Sequence, residues 1–155
     1  MTTGADMQAD TTLYVIGDIH GRLDLLDVMI EKIKRDVEAH RFRKCMTVTL
    51  GDYIDRGPAS KGVIDRLVGN PFPTSYVPLK GNHEELFEEF LKNPSSMDRW
   101  RKLGGIETLH SYAVPIEQLM VGRNFAEAAN APRTTRWPAT VRAAACRKSR
   151  MGGVT

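Results

Sequence analysis

The 155-residue chain is 41% hydrophobic and 26% charged, which bounds it to one globular domain with a real core. No apolar run approaches the roughly 20 residues that cross a membrane, and the polar, acidic stretch Met1 to Asp10 is not a signal peptide. Cys45 and Cys146 form no disulfide framework and lack metal-ligand spacing, so a reducing, cytoplasmic setting is expected.

The net charge of +3 is unevenly placed. Residues 131–155 hold six basic side chains and no acidic one, while residues 1–130 hold sixteen basic against nineteen acidic. A disordered lead-in is expected over 1–11, a domain over 12–130, and a basic, aperiodic, disordered tail over 131–155.

In chain order, Leu13 to Ile16 is predicted as the first strand. Leu23 to about His40 follows as a helix, with Leu26, Met29, Ile30, Ile33 and Val37 on one face. Arg41 to Lys44 reads as a basic turn, and Met46 to Leu50 as the second strand. Ser60 is expected to cap a short helix with Val63, Ile64, Leu67 and Val68 on its apolar face. Tyr76 to Leu79 is the third strand, at an edge or with an irregular end because of Pro78. Helices are predicted over 84–91, 97–103, 106–112 and 116–129. Strands alternating with helices imply an α/β fold with a parallel β-α-β-α-β core, the later helices forming an added layer or cap.

Each predicted strand runs into a glycine-bounded loop that carries polar groups. The loops are Gly17-Asp18-Ile19-His20-Gly21, Gly51-Asp52-Tyr53-Ile54-Asp55-Arg56-Gly57 and Gly81-Asn82-His83-Glu84. The carboxyl ends of strands are where ligands bind in open α/β sheets. Asp18 and His20, two apart, can reach one divalent metal; Asp52 can bridge to a second, and Asn82 offers that second ion a carbonyl. Two metals about 3.5–4 Å apart can activate a hydroxide and clamp phosphate oxygens. Arg56 suits bidentate phosphate binding. His83 can protonate a leaving alkoxide, with Asp55 orienting its ring. Glu84 and Glu85 are read as favouring a helix N-terminus, Asp24 and Asp27 as solvated helix positions.

These three loops resemble the signature of the phosphoprotein phosphatase branch of the calcineurin-like metallophosphoesterases, over about residues 12–90. Residues 95–125 are similar to the helical insert of bacterial members. The resemblance implies the N-terminal part of a four-layer α/β-β-α sandwich. It implies Asp18 and His20 on one metal, Asp52 bridging, Asn82 on the other, Arg56 on phosphate, and His83 with Asp55 as general acid and its orienter. It further implies two divalent ions, typically manganese and sometimes iron or zinc, and direct attack of activated water on a phosphoprotein or small phosphate ester. Dinucleoside polyphosphates are the alternative substrates.

The family pattern adds histidine ligands from a second half of the fold. The only histidine after residue 83 is His110, in a helical context. The second metal site is therefore expected to be incomplete, residues 1–130 to be the N-terminal part of a larger phosphatase, and the rest to be aberrant. A catalytically inactive fragment is the third reading. Nucleic acid is not an expected partner, because the basic tail carries one aromatic, Trp137, and no motif.

Overall fold

The computed structural model describes residues 11–40 and 44–114. Strand β1 (Thr11–Ile16) leads to helix α1 (Leu23–His40), then β2 (Lys44–Thr49), α2 (Ser60–Val68) and β3 (Ser75–Pro78). Helix α3 (Asn82–Lys92), a turn of 3-10 helix at Pro94–Ser96, α4 (Met97–Arg101) and α5 (Gly105–Ser111) follow. The strands form a three-stranded parallel sheet in the order β1-β2-β3. This is the α/β architecture implied by the alternating periods. The predicted helix over 116–129 and the tail over 131–155 lie outside the described residues.

Register decides which side chains face the helices. Tyr14 pairs with Thr47 and Thr47 with Tyr76; Ile16 pairs with Thr49. On this face Ile16, Thr47 and Thr49 are buried. The same core contains Leu26, Ile30 and Ile33 of α1 and Val63, Ile64 and Leu67 of α2. The opposite face carries Leu13 and Val15, both more than half exposed. The buried threonines are not left unpaired, since a buried hydroxyl without a partner costs about 1–3 kcal/mol. Thr47 Oγ1 meets Thr74 Oγ1 at 2.6 Å, and Thr49 Oγ1 meets the Tyr53 and Tyr76 hydroxyls at 2.7 and 3.0 Å.

Helix α1 has the predicted limits, and its periodic residues divide by depth: Leu26, Ile30 and Ile33 are buried and Met29 is partly exposed. Lys44, expected in a turn, opens β2, and Thr11, expected in the lead-in, opens β1. Ser60 does not cap α2. Ala59 occupies the N-cap without a side-chain bond, and Ser60 Oγ instead accepts the Asp55 N–H at 3.1 Å. The later helices are more than an outer layer. Helix α5 packs on α2, and α4 on α3. Trp100 of α4 is fully buried against Phe87 and Phe90 of α3, with ring centroids 5.1 and 4.9 Å apart. Among the described residues, no helix is long and apolar enough to cross a membrane.

Candidate metal centre and phosphate site

The three glycine-bounded loops lie at the C-terminal ends of the three strands and are bonded to one another. The Asp52 carbonyl accepts the N–H groups of Ile19 and His20 at 3.0 and 2.8 Å, and Tyr53 O accepts Gly21 N–H at 2.8 Å. These bonds join the first loop to the second. The second joins the third where backbones meet too closely for any side chain. A Cβ on Gly81 would lie 2.0 Å from Asp52 Oδ1, and one on Gly51 would lie 2.1 Å from Gly81 N.

Glu84 completes this junction. Its Oε2 accepts the N–H groups of Asp52 and Gly81 at 2.8 and 3.0 Å; its Oε1 accepts Tyr53 N–H at 2.8 Å and, more weakly, Ile54 N–H at 3.4 Å. From the sequence alone Glu84 has only a helix-terminus role. Its place at the third helical position after Gly81 is a capping-box signal, but nothing local shows that the same carboxylate also binds the loop after β2. Burial raises the Glu84 carboxyl above its ordinary value, against the opposing pull of the four N–H bonds.

Four non-glycine residues in these loops have left-handed backbones: His20 (φ 44), Asp52 (φ 53), Asp55 (φ 71) and Arg56 (φ 67). Such conformations cost about 1–3 kcal/mol each and persist only where surrounding contacts over-determine them. Here the contacts are the inter-loop bonds above, with the Arg56 N–H bond to Gly104 O at 3.1 Å.

The loops bring His20, Asp52 and His83 together, with one potential ligand atom from each within 4.8 Å of the others. His20 Nδ1 donates to Ile54 O at 2.9 Å, which fixes the tautomer and leaves a lone pair on Nε2. That Nε2 is buried and has no hydrogen-bond partner among the described residues. Asp18 Oδ2 lies 3.7 Å from it, on a side chain two-thirds exposed. A buried acceptor with no donor, beside two carboxylates, suits a cation. Asp52 Oδ1 also accepts the His83 N–H at 3.2 Å, in the first turn of α3. Asn82 is exposed at the first position of α3.

His83 and Asp55 form a buried pair, at 1% and 0% exposure, with His83 Nδ1 and Asp55 Oδ2 2.7 Å apart. The Nδ1 proton therefore points to the carboxylate, and Nε2 accepts from Arg56 Nη2 at 3.2 Å. Arg56 itself is exposed. The His20 and His83 rings meet edge to face, centroids 4.7 Å apart.

Asp55 has further donors that sequence reasoning did not identify. Trp100 Nε1–H reaches Oδ2 at 2.8 Å and the Thr108 hydroxyl reaches Oδ1 at 2.6 Å. Thr108 Oγ1 also accepts the Asp55 backbone N–H at 2.8 Å. Asp24 pairs with Arg22, and Asp27 with Arg66, outside the site. His110 is exposed on α5.

Residues 11–135 match the family described as Calcineurin-like phosphoesterase. The chain is also 37% identical over 95 residues to Serine/threonine-protein phosphatase 2 of Escherichia coli (strain K12). That alignment covers 60% of this chain and 38% of the relative, so the chain spans well under half of the relative's length. A family match over most of the chain accords with three parallel strands whose ends gather His, Asp and Arg side chains. The chain belongs to the calcineurin-like phosphoesterase family.

Proposed function

We propose that this chain carries the metal and phosphate loops of a phosphomonoesterase of the protein phosphatase type. The observation that carries the reading is the buried, unpartnered Nε2 of His20, clustered with Asp52 and His83. The name of the Escherichia coli relative supports a phosphoprotein substrate.

In this reading Asp18, His20, Asp52 and Asn82 would hold two divalent ions. The mixed oxygen and nitrogen donors suit manganese, iron or zinc, and the family resemblance favours manganese. Metal ions bound there would supply Lewis-acid polarisation of the ester and a water activated at neutral pH. The chain's own residues do the rest. Arg56 meets the phosphate oxygens with a guanidinium fork. His83 is assigned as the proton donor rather than a ligand, because its ring is paired at Nδ1 with the buried Asp55 carboxylate. Protonated at Nε2, His83 donates to the leaving oxygen. Asp55 keeps the other ring proton on Nδ1 and compensates the ring's positive charge.

The test is Mn²⁺-dependent hydrolysis of 4-nitrophenyl phosphate by the chain and by Asp52→Asn. Turnover that requires metal and is lost in Asp52→Asn supports the reading. Turnover that survives Asp52→Asn, or its absence from the folded chain with metal, overturns it.

A further inference from the structure

We propose that Trp100 and Thr108 are positioning residues for proton donation: they fix the Asp55 carboxylate, and through it the direction in which His83 presents Nε2. The inference rests on the reading of His83 as the proton donor, and it brings the α4–α5 segment into the machinery of the site.

A carboxylate can orient an imidazole only as well as it is itself oriented. Asp55 is fully buried and sits on a left-handed backbone, so local preference does not hold it. Three side-chain donors arrive from three helices. His83 of α3 and Trp100 of α4 share Oδ2 at 2.7 and 2.8 Å, and Thr108 of α5 takes Oδ1 at 2.6 Å. Thr108 Oγ1 also accepts the Asp55 N–H, so one hydroxyl sets both the backbone and the carboxylate of the residue. With both oxygens engaged, the carboxylate plane cannot turn without breaking a buried bond.

The surroundings lock the two donors in turn. Trp100 and Thr108 have no exposure. A Cβ on Gly105 would lie 2.4 Å from the Trp100 ring, so the start of α5 packs directly on the indole. Gly104, at φ +98, brings its carbonyl to the Arg56 N–H at 3.1 Å. The α4–α5 junction thus braces Asp55 and Arg56 together.

Thr108→Val removes the hydroxyl at nearly constant shape, and Trp100→Phe removes the N–H while keeping an aromatic ring. Each variant is compared with the unaltered chain on phenyl phosphate, a poor leaving group, and on 2,4-dinitrophenyl phosphate, which needs little protonation. General-acid catalysis is worth about 10²–10⁴-fold, so partial misorientation should lower kcat on phenyl phosphate about tenfold or more. Little change is expected on the dinitrophenyl ester, and Thr108→Ser should restore the rate.

The His83 Nδ1 proton resonance is followed in parallel on ring-labelled protein, and it should shift or broaden in both variants. Equal losses on the two esters, or an unmoved Nδ1 resonance, overturn the proposal. Absence of turnover from the unaltered chain overturns the functional reading instead, and the Nδ1 resonance then decides the positioning claim by itself.

Discussion

Glu84 and Asp52 stand 32 residues apart, yet the Glu84 carboxylate accepts the Asp52 backbone N–H at 2.8 Å. The same side chain takes the N–H groups of Tyr53 and Gly81. One acid thus holds the loop after β2 against the start of α3, and sets where Asp52 and His83 lie relative to each other. Glu84→Ala would leave several inward-facing N–H groups without a partner, at about 1–3 kcal/mol for each one that water fails to reach. The expected result is a lower urea midpoint and weaker Mn²⁺ binding, read by denaturation and by calorimetric titration. Unchanged values in both would show that the junction holds without this carboxylate.

Gly81→Ala tests the close approach of the two loops. The new methyl would lie 2.0 Å from Asp52 Oδ1 and 2.5 Å from Asp52 N, so Asp52 must move. Displacement of about 1 Å at a catalytic group can cost about 10²-fold in rate. Aryl phosphate turnover should fall at least that far while far-ultraviolet circular dichroism keeps the α/β signature.

Metal binding should be visible as stabilisation. A ligand that binds only the folded state raises stability by about 2.7 kcal/mol at 100 times its Kd. Mn²⁺ is therefore expected to raise the Tm of the chain, and EDTA to reverse the rise. His20→Ala removes the unpartnered Nε2 and should abolish most of the shift. A metal-induced rise of equal size in the variant would place the ion elsewhere.

The alkaline limb of stability should follow tyrosine. Burial, with the bond to Asp36 adding to it, pushes the Tyr14 phenol up to about 12. Burial, with Asp65 nearby, does the same to Tyr112, also to about 12. Burial also raises Tyr53 and Tyr76. The folded values lie above the unfolded value of about 10, so the unfolded chain loses these protons first. Their contribution is present below about pH 10 and is lost as pH climbs through about 12. The urea midpoint should fall across that window, and Tyr14→Phe should flatten the fall.

Local pattern was enough for the strand–helix alternation, the limits of α1, and the three glycine-bounded loops that carry Asp18, His20, Asp52, Asp55, Arg56, Asn82 and His83. Hydrophobic period and turn chemistry are properties of neighbours in sequence, so they can be read without the fold. The sequence also pairs His83 with Asp55, and the structure places them 2.7 Å apart. What only tertiary structure decided is who serves those residues. Glu84 looked like a helix-start acid and binds a loop from another strand. Ser60 looked like a cap and accepts from Asp55. Trp100 and Thr108 looked like helix interior, yet they reach Asp55 from 45 and 53 residues away. The physical reason is that a buried carboxylate takes its donors from whatever packing brings near it. Which helix crosses which loop is set by the summed burial of many apolar side chains, not by any local signal around the acid.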